Sequence, residues 1–213
     1  MSFYTLSDNS SYMRDFTWAT TIYSRSEMIE RVCPECGAVE NYPSGAFDVV
    51  VEGGSKYPDV LGCGAYPFLI VTEAVVTAWQ KEGISCFHTY SVGIAEVKSR
   101  RLRGVSPPRY LRVEIDGRCK IDLIASGVDV VRICSKCHRV MERPKYPFQH
   151  GYRMEVGSWD GCALFRDPVF YPRVNFCTEA ILELARRYRF TNFRFEPMEK
   201  PPDPSSKGID YLA

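Results

Sequence analysis

The alternation of apolar and polar positions divides this chain into short elements. Ala74, Val75, Ala78 and Trp79 fall at the i, i+1, i+4, i+5 spacing of one apolar helical stripe. That spacing predicts a helix over 72–82, and Gly83 is placed to stop it. Ala180, Ile181, Leu184 and Ala185 repeat the stripe and predict a second helix over 178–189. A short strand follows each helix, over 84–90 and 190–195. Further strands are predicted over 47–52, 111–115, 120–124, 128–133 and 152–156. The 111–115 segment alternates apolar and polar, and Asp116-Gly117 reads as a hairpin turn leading into 120–124.

The two helical stripes belong to a longer self-similarity. Cys33 and Cys36 match Cys134 and Cys137 at one fixed offset, and Asp59 matches Asp160 at the same offset. Tyr66-Pro67 corresponds to Tyr171-Pro172. Thr72-Glu73-Ala74 matches Thr178-Glu179-Ala180 at a slightly longer offset, which Phe87 and Phe193 share. The expectation is an α+β fold of two diverged, pseudo-symmetric repeats, each a knuckle, an irregular segment, a helix and a strand. The first unit spans 1–97, a basic and proline-bearing connection 98–110, and the second unit 111–196. An extended Pro/Ser/Lys tail occupies 197–213, and the whole is expected to form one compact globular domain.

Chemistry enters through the cysteines. Cys33-Pro34-Glu35-Cys36-Gly37 and Cys134-Ser135-Lys136-Cys137-His138 are two CxxC pairs, the donor set that a tetrahedral, four-sulfur zinc shell requires. Pro34 stiffens the first turn and Gly37 permits a left-handed backbone there. The expectation is one structural Zn2+ held by Cys33, Cys36, Cys134 and Cys137, with His138 a substitute ligand of lower rank. Loop-closure cost grows only logarithmically with length, so the long separation of the pairs is no obstacle. Reduced, metal-free thiols are the blander reading. The redox alternative is a dithiol at a helix N-terminus, but neither pair is followed by a helical pattern. Cys63, Cys86, Cys119, Cys162 and Cys177 sit among apolar neighbours and read as small core residues.

Composition narrows the classes. Nine cysteines are an odd number, and the chain opens without a basic, then apolar, leader pattern. The expectation is a cytoplasmic protein with no membrane segment. A net charge of +1 lacks the basic excess of a strong nucleic-acid binder. No GxGxxG, P-loop, GxSxG or HExxH occurs, and His88 and His150 read as structural, so no enzyme is expected. Asp59 and Asp160 read first as turn-capping groups and second as candidate partner contacts. The basic run 98–103 reads as a solvated connection before a phosphate site.

The paired knuckles resemble the double-CxxCG motif family of bacteria, abundant as paralogues in myxobacteria. The segments Tyr57-Pro58-Asp59-Val60, Ser158-Trp159-Asp160-Gly161 and Phe193-Arg194-Phe195-Glu196-Pro197 extend that resemblance over most of the chain. His138 departs from the pattern, which has glycine there. The resemblance implies an immunity protein that binds a cognate secreted toxin or effector, a nuclease by preference, and covers its substrate-binding surface. A zinc-ribbon nucleic-acid-binding protein and a dithiol redox protein are the alternatives.

Overall fold

The computed structural model describes residues 1–8, 15–22, 26–63, 68–128, 133–137, 151–167 and 174–199. In chain order the elements are β1 (Phe3–Asp8), β2 (Ala19–Ile22), β3 (Glu27–Val32), β4 (Val39–Ser44), β5 (Phe47–Val51) and β6 (Leu69–Thr72). Then follow α1 (Glu73–Lys81), β7 (Phe87–Val97), a 3-10 turn (Arg100–Leu102), β8 (Tyr110–Ile115) and β9 (Gly117–Arg118). The last are β10 (Leu164–Arg166), β11 (Asn175–Thr178), α2 (Glu179–Tyr188) and β12 (Phe193–Pro197). The fold is mixed α+β. One five-stranded sheet has the order β2-β5-β7-β8-β6, a second has β12-β1-β11-β10-β9, and β3-β4 forms a separate hairpin.

Both helices form where the apolar stripes predict them. Their buried faces are Val75, Val76, Ala78 and Trp79, and Ile181, Leu182, Leu184 and Ala185; Ala74 and Ala180 lie outside, so each stripe is turned slightly from its expected centre. Each helix leaves a fully buried strand at a threonine N-cap whose side chain does not cap it. The first helical amide is satisfied from a neighbouring segment instead: Glu73 N donates to Arg109 O at 2.9 Å, and Glu179 N to Ser2 O at 3.1 Å. Beyond the helix ends, Gly83 and Arg189 both take left-handed backbone, with φ of 78° and 55°. Only the first is a residue for which this costs little. The helices pack over the main core, in which Val71, Val75, Trp79, Leu111 and Val113 meet Leu6, Leu164, Cys177 and Ile181.

The strands between these helix-bearing strands come from the other part of the chain. β8 lies between β6 and β7, with Thr72 opposite Tyr110, Leu69 opposite Val113 and Phe87 opposite Ile115. β1 lies between β11 and β12, with Thr178 opposite Phe3, Asn175 opposite Leu6 and Phe193 opposite Asp8. The segment opening the second predicted unit thus completes the sheet of the first, and the chain's opening segment completes the other.

Four expectations are corrected. Asp116-Gly117 is no hairpin turn: Gly117 pairs in parallel with Phe165, and the chain crosses there from one sheet to the other. A Cβ on Gly117 would stand 2.1 Å from Leu164 O, so glycine serves close approach of two backbones. Second, β8 is buried on both faces despite its alternating sequence, because Arg112 is only 1% exposed. Its guanidinium lies 4.1 Å from the Phe68 ring centroid and 4.3 Å from that of Tyr90. It donates to Pro43 O and Glu114 Oε2, tying the β3-β4 hairpin to the sheet. Third, 120–124 and 152–156 form no strands, only an Ile121–Met154 bridge. Fourth, β1 to β4, β6 and β9 to β11 were not foreseen. Residues 129–132 of the 128–133 strand, the Tyr66-Pro67 and Tyr171-Pro172 correspondence, His138, His150 and the tail from Lys200 lie outside the described residues.

Candidate metal centre

The first CxxC is the turn of the β3-β4 hairpin. Cys33 N donates to Ala38 O and Gly37 N to Cys33 O, both at 2.9 Å, and Gly37 takes φ of 66°. That closes a knuckle in which backbone amides point at sulfur. Cys33 carries the consequence: amide donation from Cys36 and Glu35 lowers its thiol to about 6 despite its burial. The Cys36 thiol is raised; the Ala38 amide favours its thiolate, but burial and the Cys33 sulfur beside it outweigh that.

The second CxxC forms a turn over 135–137 and meets the first. Cys33 Sγ lies 3.7 Å from Cys134 Sγ, and Cys36 Sγ lies 3.6 Å from Cys137 Sγ. All four sulfurs fall within 4.8 Å of one another. A tetrahedron with metal–sulfur bonds of about 2.3 Å has edges of about 3.8 Å, so the four thiols fit a metal ion. Cys33 and Cys134 are buried, whereas Cys36 and Cys137 are half-buried, which places the cluster just beneath the surface. Ser135 Oγ donates to Glu35 Oε2 at 2.6 Å, a second tie between the knuckles.

The two candidate aspartates do different work. Asp59 Oδ2 accepts from Thr191 N and Thr191 Oγ1, both at 2.8 Å, and Asp59 Oδ1 accepts from Thr72 Oγ1 at 3.2 Å. Asn192 Nδ2 adds a 2.7 Å bond to Val60 O. Asp160 is exposed, and its oxygens accept from Arg118 N at 2.7 Å and Cys162 N at 3.0 Å. The two are not equivalent relative to the helices. Asp59 O accepts from Thr72 N, but it is Ala163 O, and not Asp160, that accepts from Thr178 N.

The cysteine reading is corrected at one pair. Cys86 and Cys162 form a disulfide across a sequence separation of 76, so they are not separate core thiols. Disulfides are rare in the cytosol, so this pair counts against the expected cytoplasmic location. Cys119 and Cys177 are buried thiols; desolvation raises Cys119 to about 12 and Cys177 higher still, which makes both inert. His88 Nδ1 lies 2.5 Å from Asp116 Oδ2, an exposed pair that no sequence pattern announced. Among the described residues, no helix is long and apolar enough to cross a membrane. No family model matches the chain, and no curated protein matches it.

Proposed function

We propose that this chain is a non-catalytic, zinc-stapled inhibitor: an immunity protein that binds a secreted bacterial toxin, a nuclease by preference, and covers its substrate-binding surface. The observation that carries the reading is the meeting of four cysteines from two remote segments within 4.8 Å. Four thiolates fill a tetrahedral shell and leave no position for water or substrate, so the ion staples and does not turn over. The disulfide and the Asp59–Thr191 bonds add further ties across the same body. A surface held in this way loses little freedom on association, which favours tight stoichiometric binding. The toxin class comes from the double-CxxCG resemblance alone. An all-sulfur tetrahedron also suits iron, so metal analysis of unchelated protein is part of the test.

We propose further that the chain is two diverged copies of one unit that exchange strands. Support comes from register. The pairs Thr72–Tyr110 and Phe87–Ile115 recur as Thr178–Phe3 and Phe193–Asp8, with both helical first amides capped from the segment preceding the exchanged strand. Amide hydrogen exchange tests this, since the amides of β1 and β8 should be among the slowest in the chain if each is an inner, exchanged strand, and fast exchange in either strand counts against it.

The decisive functional assay is co-expression with the toxin encoded beside this gene. Rescue of growth and an isolable complex support the reading; neither rescue nor complex sinks it. The nucleic-acid alternative draws on exposed Arg100, Arg101 and Arg103. It requires salt-sensitive binding to a single-stranded or duplex oligonucleotide.

A further inference from the structure

We infer that the outer face of the β3-β4 hairpin, continued over the rim of the metal centre, is the surface that docks a partner protein, and that the partner presents basic groups around an apolar centre. This deepens the inhibitor reading and rests on it. Among the described residues, strand β3 pairs with β4 alone, and the hairpin joins neither five-stranded sheet. Four large apolar side chains stand open there: Val32 is 54% exposed, Met28 48%, Val39 47% and Ile133 43%.

Three of them lie on one face of the hairpin, and the fourth precedes the second knuckle. Val32 and Val39 are opposite one another in register, and Met28 lies on the same face of β3 by its period of two. Ile133 adjoins Cys134, whose sulfur is 3.7 Å from that of Cys33, the neighbour of Val32. A grouped apolar surface around a rigid site marks an interaction face, whereas scattered exposed residues would not.

Charge identifies the occupant. The hairpin exposes Glu27, Glu30 and Glu35 against Arg31, and Lys136 is exposed on the rim beside it, so acids outnumber bases among the described residues of this face, on a chain whose net charge is +1. Glu30 lies between Met28 and Val32 on the apolar face itself. Nucleic acid and anionic lipid would meet these carboxylates as like charges, and a second copy would set the three glutamates against their own counterparts. A basic protein groove, such as one built to hold phosphates, is complementary in both charge and apolarity. The metal centre gives this face its stiffness, because the hairpin turn is itself a ligand loop.

The test uses the full, metal-loaded chain and a catalytically inactive form of the protein encoded by the adjacent gene, with binding followed by calorimetry. Glu30→Lys and the pair Val32→Ser with Met28→Ser are the probes, and Glu183→Lys, exposed on α2, is the control. Metal content and thermal midpoint confirm that each variant is folded. Weakening of roughly tenfold or more by either probe, with the control binding as the unaltered chain does, is the expected result. Equal binding by all variants overturns the hairpin as the docking face while leaving the inhibitor reading in place. No binding by the unaltered chain defeats that reading, and this inference with it.

Discussion

After each helix the chain turns and grips a segment that leads into a strand of the other half, and the two grips are built from different chemistry. Past α1, Cys86 is bonded covalently to Cys162, just before β10. Past α2, Thr191 and Asn192 bind Asp59 and Val60 through five hydrogen bonds, counting the 2.9 Å bond from Asp59 N to Thr191 Oγ1 and the 3.3 Å bond from Val60 N to Thr191 O. One grip is a single bond that depends on redox conditions. The other is a polar cluster that depends on burial and geometry, in which no single contact is decisive. The same mechanical need has been met twice, by means that fail under different conditions.

The four-cysteine cluster spans the same halves, so removal of the metal proposed there should exceed the loss of either grip. Structural zinc supplies apparent binding energies of about 10–16 kcal/mol in small peptides. We expect Cys134→Ser, or chelation of the native protein, to abolish cooperative thermal unfolding, as read by differential scanning calorimetry. A calorimetric trace unchanged by complete metal removal would show that the grips alone hold the body together.

Next comes the disulfide. Closing a loop of this length is worth about 4 kcal/mol in the chain-entropy account. A metal at the four-cysteine cluster would already close much of that loop, so replacing Cys86 and Cys162 together by Ser should cost about 2–4 kcal/mol. Urea titration reads this directly. A non-chelating reductant should lower the wild-type midpoint to that of the double variant and leave the variant untouched; a response in the variant would place the sensitivity elsewhere.

Asp59→Ala removes the centre of the polar grip and strands the Thr191 amide, for an expected loss of about 2–3 kcal/mol. Combining it with the cysteine pair in a double-mutant cycle sharpens the comparison. Additive losses mean that the grips act independently, and losses well below the sum mean that they hold one shared interface. The smallest effect lies at the helix ends. Arg189→Gly should stabilise by about 0.5–1 kcal/mol, because its left-handed backbone strains any side chain. Gly83→Ala, at the corresponding end of α1, should destabilise by a similar amount. Equal midpoints for all three chains would remove the backbone argument.

What could be read in advance follows the range of the interactions. The helices were legible because Val75, Trp79, Ile181 and Leu184 repeat within a few residues, and the knuckles because each CxxC closes its own turn. The union of the two knuckles was legible because four thiolates are one metal's donor set. The disulfide was not: five scattered cysteines carry no local mark of which two will meet. Nor was the exchange of strands, since Phe3–Asp8 is half polar and its pairing is decided by what faces it. Gly117 misled for a related reason. Its dipeptide suits a turn, but the requirement it meets is set by Leu164, far along the chain. Arg112 broke the alternation of β8 because aromatic rings and a carboxylate, none adjacent in sequence, make its burial tolerable.

The position of β1 has a consequence for how this protein is made. Thr5 and the carbonyl it binds, Glu196 O, are 191 positions apart. At a synthesis rate of about 5–20 residues per second, the first strand leaves the ribosome roughly 10–40 s before its partner exists. During that interval β6 and β7 are likewise without the strand that belongs between them until β8 emerges. The nascent chain therefore carries open strand edges and apolar faces for most of its synthesis, and its yield in a cell will depend on chaperone capacity as much as on the stability of the finished fold.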